Sequence, residues 1–144
     1  MRVTRDAYAM SLAYVATRQT TCCRRAVGCV LMNERGMILA IAYNGVASGL
    51  PHCIDDQPCE GHDLPAGQDS CEAVHAEQNA LLQCADSQAI HTAYITLSPC
   101  KSCLKLLINT SCKRIVVAKE WSDPWPKQQW LKLGREWIVL GVAS

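Results

Sequence analysis

The feature that most constrains the fold of this chain is a set of one histidine and two cysteines. They lie at two predicted helix starts, which the fold would have to bring together. Ser98 and Pro99 are typical of a helix N-cap and the first helical position, and Cys100 and Cys103 follow them. Residues three apart point to the same side of a helix, and its N-terminal dipole favours thiolates there. His75, at the start of a second predicted helix, completes a set of three potential metal ligands.

Ligands of these types predict a catalytic metal centre. Two thiolates and one neutral imidazole suit Zn²⁺ and leave one coordination position open for water. Glu77 follows His75 by two residues, which places a carboxylate where it can take a proton from that water and deliver it to a substrate. His-x-Glu followed by Pro-Cys-x-x-Cys is the signature of zinc deaminases. The alternative is a buried histidine with two structural cysteines.

Apolar periodicity predicts an α/β fold with a mixed sheet. Two apolar runs joined by the turn Asn33–Gly36 indicate a β-hairpin, and the later segments alternate between helix and strand. The predicted strands are 26–32, 37–43, 93–97, 114–118 and 137–140, and the predicted helices are 4–18, 75–84, 128–133 and one after Pro99.

Two of these helices carry apolar stripes. Tyr8, Leu12 and Val15 share one face of the first helix. In helix 75–84 the stripe consists of Val74, Leu81, Leu82 and Ala85. We expect both stripes to face the core.

Length and composition predict one domain spanning 1–144. Gly and Pro punctuate a long loop at about 44–71, and such a loop inside a compact domain indicates either a function or an external clamp. A formal net charge of +1 argues against a nucleic-acid binder. No apolar run approaches the ~18 residues of a membrane span.

The chain contains ten cysteines, and in a secreted protein that density would indicate disulfides. The N-terminal segment Met1–Asp6 is charged and is not followed by an apolar signal segment. We therefore expect a cytoplasmic, reducing compartment and metal ligation. Cys29, Cys84 and Cys112 fall on predicted strand or helix faces, where we expect them to serve in packing.

Several segments, in order, make the chain similar to the cytidine deaminase superfamily, and within it to the deoxycytidylate (dCMP) deaminases. They are Val27–Val30, Tyr43–Gly45, Ser48–Cys53, Val74–Ala80 and Ser98–Cys103. Free-nucleoside cytidine deaminases typically have Cys-Ala-Glu where this chain has His-Ala-Glu, and tRNA adenosine deaminases lack the long cysteine-bearing loop. The resemblance implies a three-layer α/β/α fold with a mixed five-stranded sheet, usually assembled as a homohexamer.

The resemblance also implies a reaction, the hydrolytic deamination of dCMP to dUMP and ammonia. Water activated by Zn²⁺ on His75, Cys100 and Cys103 would attack C4 of the pyrimidine. Glu77 would protonate N3 and then hand a proton to the departing amine. Many family members are activated by dCTP and inhibited by dTTP, which bind with Mg²⁺ at a separate site between subunits.

A second, structural zinc is implied by cysteines at positions that match bacterial and archaeal relatives. The predicted ligands are Cys22, Cys53, Cys59 and Cys71. A closed tetrahedral site would offset the ordering entropy of the long loop. His52, His62 and Cys23 remain alternative ligands.

The remaining site residues concern the substrate and the effector. The substrate phosphate requires a partner, and Arg24 or its neighbour Arg25, between the cysteines and the first strand, is the candidate. The resemblance implies Asn44 at the sugar and Trp121 against the nucleotide. For the effector it implies Gly45, Ser48, Gly49 and Asn79. The alternatives are solvated surface arginines, a core tryptophan and glycines that only serve a turn.

Other functions remain possible from the sequence alone. One is a deaminase that acts on another cytosine nucleotide or nucleoside, or on a nucleic-acid base, although the last would favour a basic channel. Another is a non-catalytic zinc protein that presents a loop to partners. Glu77 argues against the latter, because a structural zinc has no use for an acid beside an open coordination position.

Overall fold

The computed structural model describes residues 1–22, 25–50 and 73–141. Within these ranges the chain forms both helices and strands, in an order that agrees with the predicted alternation. They are α1 (Arg5–Ala16), β1 (Gly28–Met32), β2 (Ile38–Tyr43), β3 (Gly45–Val46), β4 (Ala73–Val74), α2 (Ala76–Gln83), β5 (Thr92–Leu97), α3 (Lys101–Ile108), β6 (Arg114–Lys119), α4 (Trp125–Lys132) and β7 (Glu136–Val139). None of the helices in the described residues is long and apolar enough to cross a membrane.

The main sheet is mixed and has five strands in the order β2-β1-β5-β6-β7. Strand β1 pairs antiparallel with both β2 and β5, whereas β5–β6 and β6–β7 are parallel. Helix α1 covers one face of the sheet, and α2, α3 and α4 cover the other. The predicted three-layer α/β/α fold with a mixed five-stranded sheet is therefore confirmed.

The first and last strands and helices differ slightly from their predicted bounds. Helix α4 begins at Trp125 rather than at Gln128, with Pro126 in its first turn. Proline is tolerated there because its fixed φ suits a helix and because an N–H in the first turn has no intrahelical acceptor. Helix α1 begins where predicted, with the Thr4 hydroxyl accepting a hydrogen bond from the Ala7 N–H.

The predicted apolar stripe of α1 is buried only in part: Leu12 packs against the core, but its two neighbours in the stripe do not. Tyr8 is 48% exposed and Val15 is 61% exposed, and the helix instead buries Met10 together with a stripe of alanines. The reason lies in β1, where a Cβ on Gly28 would lie only 1.8 Å from the Ala13 carbonyl oxygen. The backbones of the helix and the strand touch here, so only small side chains fit between them.

The predicted stripe of α2 is also buried only in part, with Leu81 packed against the core. Leu82 is 81% exposed and Leu81 is only partly buried, whereas Ala76, Glu77 and Ala80 are buried. The helix therefore turns its small residues and one carboxyl group towards the sheet. In contrast, α3 buries Cys103, Leu104 and Leu107, as their helical spacing predicts.

Ser98 does not cap α3, and Pro99 is not its first residue. The N-cap is Cys100, and the helix begins at Lys101. The Ser98 hydroxyl is occupied by the loop after β6, where it accepts from the Trp121 N–H at 3.0 Å and donates to the Lys119 carbonyl at 3.3 Å. This follows from the parallel register, which aligns Leu97 with Lys119.

Most of the predicted long loop, residues 51–72, lies outside the described part of the chain. Its two ends are described and form an antiparallel ladder, in which Gly45 pairs with Val74 and Val46 with Ala73. This ladder was not predicted, because two residues are too few to give a periodic signal.

Four segments converge on one edge of the sheet. Strands β2, β5 and β6 all run in one direction, so their carboxyl ends share an edge, and β1 runs the opposite way and begins there. The residues just beyond these ends are Asn44, Ser98 and Trp121, and the segment before β1 contains Arg25. Loops at the carboxyl ends of parallel strands are the usual location of ligand sites in α/β proteins.

Away from this edge, a network of hydrogen bonds and ion pairs connects the start of α1 to the sheet. The Asp6 carboxylate accepts from the Tyr94 hydroxyl at 2.7 Å and from the Arg114 guanidinium at 3.0 Å. Arg114 also pairs with Glu136 of β7 at 2.7 Å. Partial burial tends to raise the pKa of Asp6, but the hydrogen bonds from Arg114 and Tyr94 outweigh it and leave the pKa below its usual value.

This network predicts a pH-dependent contribution to stability. A lowered folded-state pKa stabilises the protein above the unfolded pKa of about 3.9, and that contribution is lost as the pH falls through the folded value. We expect Asp6→Asn to lower the free energy of unfolding by about 1–2 kcal/mol near neutral pH, reduced from the value for a buried pair because the site is partly solvated. The difference from wild type should shrink below about pH 4.

Urea unfolding at several pH values measures this difference. Glu34→Gln, in the exposed β1–β2 turn, serves as the matched control and should differ from wild type by less than about 0.5 kcal/mol. A constant gap between wild type and Asp6→Asn down to about pH 3 would rule out the electrostatic origin.

Candidate active site

The predicted metal ligands meet at the shared edge of the sheet. His75 is the N-cap of α2, and Cys100 is the N-cap of α3 with Cys103 in its first turn. The His75 Nδ1 atom lies 3.3 Å from Cys103 Sγ and 3.5 Å from Cys100 Sγ. The three donor atoms all lie within 4.8 Å of one another, which is close enough for them to hold one metal ion.

The electrostatics of the three side chains favour a cation. The pKa of Cys100 is lowered to about 4, mainly by a hydrogen bond from the Cys103 thiol and also by one with His75, although partial burial opposes this. Donating that hydrogen bond raises the pKa of Cys103, and burial raises it further. The hydrogen bond to Cys100 raises the pKa of His75. The cluster thus favours a thiolate at Cys100, the ionised form in which cysteine binds a metal.

This donor set fits Zn²⁺, the metal that the cysteine and histidine pattern predicts. One imidazole nitrogen and two sulfurs on two rigid helix starts provide three of the four ligands of a tetrahedral zinc. Cys103 is fully buried and His75 and Cys100 are partly exposed, so the open side of the cluster faces a pocket. Open access on one side distinguishes a catalytic centre from a closed structural one.

Glu77 lies beside the cluster and is only 5% exposed. Burial raises the pKa of its carboxyl group to about 7; a backbone hydrogen bond opposes this, and the negative charge of Cys100 adds to it. A carboxyl group that titrates near neutral pH can both accept and donate a proton in one catalytic cycle. No other carboxyl group lines the described part of the pocket.

Asn44 forms part of the pocket wall and is 6% exposed. Its side-chain oxygen accepts from the Val27 N–H at 2.8 Å and from the Thr20 hydroxyl at 2.8 Å. Its amide nitrogen donates to the Arg25 carbonyl at 2.8 Å. The side chain that was predicted to contact the sugar therefore also fixes the backbone segment that enters β1.

At the mouth of the pocket, Arg25 stacks on Trp121. The guanidinium carbon lies 4.4 Å from the centroid of the indole ring, a cation–π contact. Both residues are partly exposed and line the same pocket as His75 and Glu77. Leu97 completes this part of the wall.

Comparisons with known proteins agree with this geometry. The family model described as the cytidine and deoxycytidylate deaminase zinc-binding region matches residues 3–119. The chain belongs to this deaminase family. The match includes every described residue of the metal cluster and of the pocket except Trp121.

Curated relatives are similar over most of this chain. The deoxycytidylate deaminase of Mycobacterium phage D29 is 33% identical over 122 residues, which cover 80% of this chain and 94% of that protein. The deoxycytidylate deaminase of Saccharomyces cerevisiae is 30% identical over 125 residues, which cover 84% of this chain but 39% of the yeast protein. The chain thus spans most of the phage deaminase and less than half of the yeast one.

Solved structures of other proteins share the fold. The dCMP deaminase of cyanophage S-TIM5 in its apo form superposes with a TM-score of 0.74 at 25% sequence identity, covering 97% of this chain and all of that chain. RibD of Acinetobacter baumannii superposes with a TM-score of 0.65 over 94% of this chain and 35% of its own. Its sequence identity of 23% supports the fold alone.

The other predicted site residues of this deaminase domain lie at several places. Arg24, Cys53, Cys59 and Cys71 are outside the described residues, as are the alternative ligands His52, His62 and Cys23. Cys22 is buried and lines the active-site pocket, although it was predicted as a ligand of the second zinc. Cys29 and Cys112 lie in the core as predicted, and Cys84 ends α2.

The residues predicted for the effector lie around the end of β2. Gly45 is buried in β3, where a Cβ would lie 2.6 Å from the Thr21 hydroxyl oxygen. Ser48 and Gly49 form an exposed turn, and Gly49 has a φ of +88° that favours glycine. The Asn79 amide donates to the Tyr43 carbonyl at 2.9 Å and so occupies a backbone acceptor of the edge strand.

Sequence reasoning missed part of this deaminase pocket. Ser98 was interpreted as a helix cap, and Ala73 and Leu97 carried no functional signal. The sequence pattern does not distinguish Arg25 from Arg24. The signal that identifies Arg25 is its stacking on a residue about a hundred positions later in the chain, which no local pattern contains.

Proposed function

We propose that this chain catalyses the zinc-dependent hydrolytic deamination of dCMP to dUMP and ammonia. The observation that carries the proposal is a buried carboxyl group, Glu77, beside an open cluster of His75, Cys100 and Cys103. Family membership supports the reaction class, and the substrate is that named for the D29 and yeast relatives.

His75, Cys100 and Cys103 would hold the catalytic zinc. Bound there, Zn²⁺ supplies Lewis-acid activation of water. The chain's own contribution is to fix the three donors on the ends of α2 and α3. The Gln78 side-chain oxygen assists by accepting from the His75 N–H at 2.9 Å, which fixes the backbone of the first ligand.

Glu77 would move the protons of the reaction. Its carboxylate takes one from the attacking water and delivers it to N3 of the pyrimidine, and a further transfer to the amino group lets ammonia leave. The net change is dCMP plus water to dUMP plus ammonia. Val27 and Ala76 line the same pocket and add apolar surface, which disfavours loss of the proton to bulk water.

The substrate would enter from the mouth of the pocket. We propose that Trp121 lies against the nucleotide and that Asn44 contacts its sugar with the amide hydrogen that the Arg25 carbonyl does not use. Arg24 stays a predicted phosphate contact, since it lies outside the described residues.

The proton-transfer role predicts the behaviour of Glu77→Gln. The amide cannot accept a proton, so turnover of dCMP should fall by about 10²–10⁴-fold while the zinc content stays at the wild-type level. Formation of dUMP is measured by chromatography, and zinc by mass spectrometry. Glu34→Gln provides a control at an exposed carboxylate. Turnover by Glu77→Gln at the parental rate would remove Glu77 from the mechanism.

We also propose a second, structural zinc on Cys22, Cys53, Cys59 and Cys71. The support is the number of cysteines and the position of Cys22, which is buried beside the pocket. Thiolate ligation at either centre requires a reducing environment, which is the reason for proposing a cytoplasmic location.

The zinc content of single-cysteine variants tests the catalytic and the structural zinc independently. We expect about two Zn²⁺ ions per wild-type chain and a loss of about one in either Cys103→Ser or Cys53→Ser, since serine is a poor zinc ligand. Cys84→Ser is the matched control, because this thiol hydrogen-bonds to the Asp86 carbonyl outside both centres. A ratio of about one in the wild type, unchanged in Cys53→Ser, would exclude the second zinc.

We further propose that the chain assembles as a homohexamer and that dCTP activates and dTTP inhibits it, each with Mg²⁺. The effector would bind at Gly45, Ser48, Gly49 and Asn79. The support is the exposed Ser48–Gly49 turn, whose backbone amides can approach a phosphate.

If the two nucleotides regulate the enzyme, they should change its initial rate in opposite directions at subsaturating dCMP. The initial rate should rise with dCTP and fall with dTTP when Mg²⁺ is present, and Gly49→Val should weaken both responses because a β-branched residue disfavours the positive φ. Sedimentation velocity reports the assembly in the same samples. A wild-type rate that ignores both nucleotides would dismiss the effector site, whatever the oligomeric state.

A further inference from the structure

The charges of this chain are concentrated in two segments of opposite sign, although the net charge is only +1. Residues 51–72 contain six of the 13 Asp and Glu residues and none of the 14 Lys and Arg residues. Residues 101–135 contain eight of the 14 Lys and Arg residues and two of the 13 Asp and Glu residues. Such an asymmetry provides two surfaces whose charges complement each other.

We call residues 51–72 the acidic segment, whose acids are Asp55, Asp56, Glu60, Asp63, Asp69 and Glu72. The residue that follows it, Ala73, belongs to the β3–β4 ladder, and this ladder comes directly after β2. The acidic segment is therefore joined to the fold beside one edge strand of the main sheet.

The basic residues lie mostly on helices α3 and α4, which form one surface. At the helix starts, the Lys101 ammonium group lies 4.8 Å from the centroid of the Trp125 ring. At the helix ends, the Arg135 guanidinium donates to the Ile108 carbonyl at 3.0 Å. The two helices thus run side by side in the same direction, and their solvent-facing residues lie on one face.

We call this surface the basic face, which consists of three exposed lysines and three exposed leucines: Lys101, Lys105, Lys132, Leu106, Leu131 and Leu133. The leucines are between 44% and 52% exposed. Exposed apolar side chains grouped among charged ones are typical of a surface that binds another protein.

Acidic residues of the described chain do not neutralise the basic face. Neither α3 nor α4 contains an Asp or Glu. Glu120 is paired with Lys127 at 3.0 Å. The Asp123 carboxylate accepts from the Trp125 N–H at 3.0 Å. The two acids within residues 101–135 are thus occupied elsewhere, and the described lysines of the basic face keep their charge.

The acidic segment and the basic face belong to opposite halves of the fold. Helix α2, which follows the acidic segment, packs on β1 and β2. Helix α4 packs on α3 and on β7, the other edge strand. Two copies of the chain can therefore meet head to tail, with the acidic segment of one against the basic face of the next.

We infer that the basic face binds the acidic segment of a second copy of this chain. The inference rests on the proposed homohexamer, whose contact surfaces it names, and not on the proposed deamination. A contact between two different surfaces of one chain is heterologous, and it forms a closed ring when successive rotations complete a full turn. The lysines determine orientation and partner choice, and the leucines bury apolar area within the contact.

Charge reversal of each surface tests this interface in the zinc-loaded chain. The face-reversed variant carries Lys105→Glu and Lys132→Glu. The segment-reversed variant carries Asp55→Lys, Asp56→Lys, Asp63→Lys and Asp69→Lys. Each variant alone should raise the dissociation constant of self-association by about 10–100-fold, because like charges then face each other. Sedimentation velocity over a range of protein concentrations measures this constant, which should also rise with salt in the wild type.

A mixture of the two variants should recover the assembly that each variant loses alone. In the mixture, the acidic face of one variant meets the basic segment of the other, and their remaining surfaces are also opposite in charge. The dissociation constant of the mixture should therefore return to within about threefold of the wild-type value.

Controls separate the loss of contact from a failure to fold. Glu34→Lys combined with Arg35→Glu exchanges two charges in the exposed β1–β2 turn and should change the dissociation constant by less than about twofold. Circular dichroism and zinc content report the folding of each variant. Lys105→Gln with Lys132→Gln removes charge without adding acids, and it should weaken self-association by about 3–10-fold.

Each other outcome overturns the inference. A monomeric wild type would refute it together with the proposed homohexamer, whereas wild-type assembly that survives both reversals would refute the inference alone. Loss of assembly without recovery in the mixture would exclude a contact between these two surfaces of different copies. A single-stranded oligonucleotide that binds the wild type more tightly than the chain binds itself, but not the face-reversed variant, would assign the basic face to nucleic acid.

The proposed function is tested separately, because sedimentation requires no substrate. A chain that assembles as expected but does not deaminate dCMP would refute the proposed activity and leave the interface in place.

Discussion

Strand β5 determines where the active site can form. It lies between β1 and β6, antiparallel to the first and parallel to the second. Because of these two pairings, Ser98 and Cys100, which follow β5, lie next to the end of β6 and the start of β1. The Gly28 N–H reinforces this by donating to the Thr96 hydroxyl at 3.1 Å. A change of register on either side would separate the metal ligands from the residues at the mouth.

The site concentrates groups that a protein core normally excludes. Glu77, Cys103 and the partly buried thiolate of Cys100 lose hydration, and burial alone disfavours their charged forms. A cation bound to the cluster would relieve the remaining electrostatic cost, so metal binding and stability are expected to be coupled.

The sequence predicted the strand and helix alternation, the hairpin and the metal cluster, because each depends on a local pattern or a specific spacing. It failed at Tyr8 and Val15 of α1 and at Leu82 of α2, which are exposed. In α1 the close approach of the Gly28 backbone leaves room only for small side chains such as that of Ala13. It also misjudged Ser98, since a hydroxyl at a helix start resembles an N-cap unless the neighbouring parallel strand is known. The stacking of Arg25 on Trp121 was not predictable, because it depends on two loops meeting at one sheet edge.

The two-residue ladder between β3 and β4 has a consequence for variation among related chains. It joins the residues after Asn44 directly to those before His75, so the pocket wall and the first metal ligand are connected by backbone hydrogen bonds and not only through the intervening sequence. Insertions or deletions between positions 47 and 72 can therefore accumulate without moving either residue. Lengthening a loop whose ends are already paired adds little to the entropic cost of closing it. New recognition properties can therefore arise between these positions while the residues that carry the chemistry stay the same.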